Sequence, residues 1–203
     1  NAAAYTDVDG AEAAPELAQA VNGQGAENVA RAARAIGAAV VHYSTDFVFD
    51  GTLERPYDER DPPSPQGAYA RSKVAGDARV AAATPRHFIV RVGCLYGRGG
   101  RNFPSTVVRR LRAGETLRAD RDRRVSPTWV REPARVSAAL ARTAFYGLYH
   151  CTAQGETTWA RVRAPDGRPP RPPGRARRGP ADRVREPAGV PAGPRDPRQP
   201  GAA

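Results

Sequence analysis

The sequence predicts a doubly wound α/β fold. Three observations carry this. Short apolar, β-branched runs read as buried strands, and stretches with helix start and stop signals lie between them. The two kinds alternate along the chain, which calls for a parallel sheet with helices on both faces.

The elements follow in order. Residues 14–37, "APELAQAVNGQGAENVARAARAIG", read as helix; Pro15 suits a first turn and Gly37 the position past the end, while Gly23 and Gly25 are points where it would divide in two. Residues 38–46, "AAVVHYSTD", are a buried strand ending in turn formers. A loop rich in Pro, Asp and Gly covers residues 50–67, and "AYARSKVAGDARVAAA" returns to helix. "RHFIVRVGCLYG" reads as one further buried strand. "NFPSTVVRRLRAG" is a helix stopped by Gly114, "TWVREPARVSAALARTAF" a helix beginning near Pro133, and "GLYHC" a last short strand.

From about Ala160 the pattern ends. That segment holds eleven of the 20 prolines, no aromatic residue, and eleven Arg against Asp166, Asp182, Glu186 and Asp196. It therefore carries +7 of the net charge of +11, leaving +4 for residues 1–159. So little apolar area cannot offset the entropy of ordering a chain, so a domain over 1–159 and a disordered, extended tail over 160–203 are expected. The tail also has the composition of a GC-rich coding region read out of frame, which resequencing of the gene would test. Nucleic-acid binding through its arginines is physically sound but disfavoured by the lack of rings to stack on bases.

Composition excludes other classes. No run of 18 apolar residues exists, so no membrane span is expected. The opening "NAAAYTDVDG" lacks a charged and an apolar region of the secretory kind and does not begin with Met, as in a fragment or processed product. Cys94 and Cys151 have neither disulfide-framework nor metal-ligand spacing, so no metal site and a reduced cytoplasmic setting are expected. His42, His87 and His150 fall in or beside strands without ligand spacing and read as packing residues.

The chemistry concentrates in "YARSK". Lys73 is the only lysine among 32 basic residues. Tyr69 and Lys73 lie four apart, so a helix puts them on one face. A fixed ammonium favours the phenolate and lowers a tyrosine pKa from its usual value of about 10, making an acid/base couple. Lysine, unlike arginine, offers a compact ammonium that can also donate to a ribose. Ser44 and Thr45 end the preceding strand, where α/β sheets meet their ligands, and a hydroxyl there can bond a substrate carbonyl. A Tyr and a Lys at this spacing also occur by chance, and Ser44, Thr45 and Asp46 would equally serve as turn formers.

"NAAAYTDVDGAE", "ELAQAVN", "VVHYSTDFVFDG", "YARSKVAGD", "RVGCLYGRGGRNF" and "VSPTW" occur in order between Asn1 and Trp159. Together they resemble the dTDP-4-dehydrorhamnose reductase family of the extended short-chain dehydrogenase/reductase superfamily. The resemblance implies a Rossmann-like sheet and reduction of the 4-keto group of a dTDP-4-keto-6-deoxysugar, giving dTDP-L-rhamnose, with NADPH or NADH. Tyr69 would be the proton donor, Lys73 would lower its pKa and hold the nicotinamide ribose, and Thr45 would bond the same oxygen. Ala3, Ala4 and Tyr5 would lie along the cofactor, with Ser44, Tyr69 and Lys73 beside it. Asp46 and Val48 would meet the sugar, and Asn102 and Phe103 would face the diphosphate from a helix start. A homodimer is an assembly the resemblance allows.

The departures are specific. The family's Gly-rich pyrophosphate turn and first three strands would precede Asn1, leaving the sheet incomplete. Gly93 and Cys94 replace the usual Ser and Trp. Arg123, Val125 and Trp129 replace Gln, Gly and Tyr. These departures would also suit a non-catalytic nucleotide-sugar or cofactor-binding protein on the same scaffold, like the regulatory subunit of methionine adenosyltransferase. Loss of NADPH oxidation in Tyr69→Phe distinguishes the enzyme.

Overall fold

The computed structural model describes residues 1–99, 102–115 and 123–159. From the N-terminus, α1 (Val8–Ala13) and α2 (Pro15–Gln19) lead through a π-helical turn (Ala20–Gly25) into α3 (Ala26–Ala35). β1 (Val40–Thr45) ends in a 3-10 turn (Asp46–Val48), and a loop leads to α4 (Gly67–Ala83) and β2 (His87–Val92). There follow β3 (Leu95–Tyr96), α5 (Phe103–Arg112), β4 (Arg124–Val125), β5 (Thr128–Trp129), α6 (Arg131–Leu140), β6 (Gly147–His150) and β7 (Thr157–Thr158).

The main sheet has the order β1-β2-β6 and is parallel throughout, with Val40 opposite His87 and Phe88 opposite Gly147. Its β-branched strands are buried on both faces, as the apolar runs predicted. On one face Val40 and Ile89 pack against Ala26 and Ala30 of α3 and Val80 of α4. On the other, Phe88, Val90 and Val92 pack against Leu140 of α6 and Cys151. Phe88 and Val90 are fully buried, and each such side chain contributes about 1.5–3 kcal/mol relative to exposure. The doubly wound arrangement is thus realised over these three strands. β3 and β5 form a separate parallel pair, and β4 and β7 an antiparallel one.

Three expectations change in detail. The strand foreseen over residues 86–97 divides, because Cys94 adopts a left-handed conformation (φ 45°) that no strand accommodates; β3 then pairs with β5 instead of extending β2. The helix over residues 14–37 does not break at Gly23 and Gly25 but widens there into the π-helical turn. Pro15 does start α2, and Gly37 does follow α3, at φ 69°. α6 begins at Arg131, two residues before Pro133, which sits in the first turn where its missing N–H has no helical partner to lose.

α4 is held from both ends. Its Ala68 N–H donates to the Glu12 carboxylate of α1 (2.5 Å), satisfying a donor that the helix start leaves open. Farther along, a Cβ at Gly76 would lie 2.3 Å from the Asn22 carbonyl oxygen, so only glycine lets α4 approach the π-helical turn this closely. The proposed tail, residues 160–203, lies outside the described residues. Among the described residues no helix is long and apolar enough to cross a membrane.

Candidate active site

β1 and α4 bring the site together at the carboxyl end of the sheet. Thr45, the last residue of β1, caps the 3-10 turn: Phe47 N–H donates to its Oγ1, which itself donates to Asp46 Oδ1, each at 3.2 Å. The Thr45 hydroxyl also lies close enough to the Tyr69 phenol to draw its pKa down. One turn along α4, Lys73 is buried and its Nζ donates to the Tyr43 carbonyl of the same strand (2.7 Å). Thr45, Tyr69 and Lys73 therefore meet at the last three residues of β1. Phe47 stands edge-on to the Tyr69 ring, with centroids 5.9 Å apart.

The electrostatics differ from the simple Tyr–Lys expectation. Burial pushes the Tyr69 phenol above its usual pKa, the nearby Thr45 hydroxyl opposes this, and the carboxylates of Asp46 and Asp77 add to it. Lys73 does not lower it, because its ammonium is turned to the Tyr43 carbonyl. Burial pulls the Lys73 ammonium down and Asp77 pulls it back up. The phenol is consequently held in its protonated, proton-donating form at neutral pH.

Asp46 is enclosed beside this trio, and burial raises its carboxyl. The Gly93 departure explains its placement: a Cβ there would come within 2.5 Å of Asp46 Oδ2, so the absent side chain is what admits the carboxylate. The Arg123 guanidinium lies 4.5 Å from the Phe47 ring centroid and acts electrostatically on Asp46. The neighbouring Cys94 thiol is pushed up to about 12 by burial and Asp46; it stays protonated and is no nucleophile at neutral pH.

Other sequence-predicted residues divide. Ala3, Ala4 and Tyr5 line the N-terminal loop; Tyr5 packs with Tyr69 against Ala11, Ala18 and Ala68. The Ser44 hydroxyl donates to Asp77 of α4 (2.9 Å) rather than to the trio. Val48 is fully buried, and its carbonyl accepts from Ser64 N–H (2.8 Å). Asn102 caps α5, accepting from Ser105 N–H (3.0 Å) and donating to the Gly97 carbonyl (3.0 Å). Phe103 packs on Trp159 (4.0 Å between centroids). The histidines pack as expected, His42 in the interior and His87 against the Thr84 carbonyl (2.7 Å).

Sequence reading missed Asn22. Its Nδ2 donates to the Tyr5 carbonyl (3.0 Å) and to Ser72 Oγ (2.9 Å), and its Oδ1 accepts from Tyr5 N–H (2.8 Å). It ties the N-terminal loop to the helix bearing Tyr69 and Lys73. The available signal was a polar residue on a helix face, beside two glycines, in a π-helical turn of the kind that recurs at functional sites.

Residues 1–164 match the family model described as the RmlD substrate binding domain. The chain belongs to this family. Curated relatives named dTDP-4-dehydrorhamnose reductase include those of Salmonella typhimurium, 42% identical over 164 residues, and Streptomyces griseus, 44% identical over 165. Each alignment covers 78% of this chain but only 55% and 54% of the relative, so the RmlD-type chain spans about half the length of the curated relatives it matches. Among solved structures, a dTDP-4-dehydrorhamnose reductase from Bacillus anthracis in complex with NADP superposes with a TM-score of 0.74 at 40% identity. It matches 78% of this chain and 56% of that one. The likeness extends to the Rossmann-like architecture.

Proposed function

We propose that this chain carries the catalytic half of an NAD(P)H-dependent reductase that acts on the 4-keto group of a dTDP-4-keto-6-deoxysugar, turning dTDP-4-dehydrorhamnose into dTDP-L-rhamnose. The observation that carries the reading is the meeting of the Thr45 hydroxyl, the Tyr69 phenol and the Lys73 ammonium at one end of β1. The donor set fits the nicotinamide end of such a cofactor: an ammonium has three donors, of which, among the described residues, one goes to the Tyr43 carbonyl. The NADP in the Bacillus anthracis structure favours NADPH over NADH.

Bound reduced nicotinamide would supply the hydride to C4. The chain's own residues then complete the reduction. Tyr69, kept protonated by burial, gives its proton to the C4 oxygen as the C–H bond forms. Thr45 hydrogen-bonds that oxygen and holds it beside the phenol. The Lys73 ammonium, one of whose donors goes to the Tyr43 carbonyl, holds the nicotinamide ribose with those that remain. Asp46, at the start of the 3-10 turn, and Asn102 and Phe103, at the start of α5, are the proposed sugar and diphosphate contacts. The reading places the reaction in the cytoplasm, with a homodimer as an assembly that light scattering would check.

In a chain extended to the length of its relatives, Tyr69→Phe should lower substrate-dependent NADPH oxidation by about 10²- to 10⁴-fold, the range for loss of a general acid. Turnover within threefold of the parent would contradict the assignment.

A further inference from the structure

Behind the catalytic trio, on the side of β1 that faces α4, lies a second cluster of buried polar groups that the proposed chemistry does not use. Asp77 is its centre, four residues beyond Lys73 and hence on the same face of α4. It is 7% exposed. Its Oδ2 accepts from Ser44 Oγ (2.9 Å) and from Arg91 Nε (3.4 Å). Its Oδ1 faces His42 Nε2 at 3.7 Å, and among the described residues neither atom has a hydrogen-bond partner.

We infer that Asp77 is a positioning residue of the active site: anchored by Ser44 and Arg91, it is the counter-ion that keeps the buried Lys73 charged. The inference deepens the reductase reading and takes its functional meaning from it. The charge inventory of the cluster argues for it. Lys73 and Arg91 are 3% and 5% exposed. A guanidinium does not give up its proton in a protein. The other side of Arg91 lies over the face of Phe49, 5.2 Å from the ring centroid, near enough to His150 to act on it. Without an ionised Asp77, two cations would share one interior with no anion, an arrangement that costs several kcal/mol per ion.

The remaining facing groups cannot take this part. His42 Nδ1 lies 3.2 Å from Asn1 Nδ2, which donates to it; the ring proton is then on Nε2, toward Asp77. Burial, Lys73 and the Asn1 amine push His42 down to about 3, so it stays neutral. Burial and Lys73 pull the Asn1 amine down, and in neither form can it be an anion. The Tyr69 phenol is raised in part by Asp77 and is not an anion. Burial raises the Asp77 carboxyl, while Ser44, Arg91 and Lys73 oppose that rise. Ser44 thereby gains a role that its place at the strand end did not reveal: it orients the counter-ion rather than the substrate.

The single lysine makes the test direct, because selective labelling with ¹³C,¹⁵N-lysine gives one side-chain signal, that of Lys73. Its titration is followed in the parent, in Asp77→Asn and in Asp77→Glu. Asp77→Asn should bind the Lys73 proton about tenfold more weakly, a midpoint lower by about one pH unit, and Asp77→Glu should restore most of it. A midpoint unchanged in a folded Asp77→Asn chain would overturn the inference. Should that variant unfold, its lysine would move the other way, to the usual value of about 10.4, and the parent decides alone. There the Asp77 carboxyl carbon must show a second step at the Lys73 midpoint, since coupled groups report each other's titration. Its absence overturns the inference equally. Neither readout needs turnover. A lowered Lys73 midpoint in an extended chain without reductase activity would uphold the electrostatic support of Lys73 by Asp77 and defeat the reductase reading, so the two failures are distinct.

Discussion

Tyr69 and Lys73 share a helix face but not an environment. Their spacing was legible in the sequence, and so was the placement of Thr45 at a strand end. The direction of the phenol shift was not, because it depends on burial and on Asp46 and Asp77, which a four-residue spacing does not encode. Asn22, Asp77 and Arg91 were missed for a related reason: each looks like an ordinary polar residue until its burial is known. Single side chains also set the acid response. The unfolded chain protonates His42 near pH 6.5, whereas the folded imidazole resists until about 3. The folded-state value is depressed, so the unfolded chain binds more protons and stability falls as pH drops through this window. The loss approaches about 4 kcal/mol at its acid end. Urea denaturation at stepped pH should show this slope in the parent and a flatter one in His42→Gln between about pH 6.5 and 5.5, where ordinary carboxylates remain ionised. Parallel slopes would show that His42 is not the group responsible.

At the scale of elements, the main strands and helices followed from periodicity, whereas their ends and interruptions followed from contacts. The π-helical turn exists where Asn22 reaches the Tyr5 loop and Ser72, and the two glycines in it lower the resistance to widening. The break after β2 was invisible because nothing in "RVGCLYG" announces a left-handed cysteine. The two-residue strands β3, β4, β5 and β7 are too short for any period to show. The close approach of α4 to the π-helical turn makes a sharp forecast. Gly76→Ala puts a methyl group against the Asn22 backbone oxygen, which should cost roughly 1–3 kcal/mol, as overpacking does. It should also move Asn22, and with it the N-terminal loop. Chemical denaturation measures the cost, and an unchanged midpoint would mean that the two helices separate freely.

For the whole molecule, the doubly wound class was legible because strands buried on both faces and intervening helices leave few other packings. The specific chemistry came from ordered motifs across residues 1–159, and the comparisons place residues 1–164 in the same family. The chain spans about half of its curated relatives, and within that half lies the acid/base end of the proposed site. The most direct test of that assignment is a double-mutant cycle on kcat in a chain extended to its relatives' length, with Thr45→Val, Tyr69→Phe and the pair. If both side chains act on one oxygen, the double variant should be no slower than the worse single variant within about threefold, as for groups that work as a unit. Losses that multiply would mean that the two residues act independently, and would contradict the single shared site.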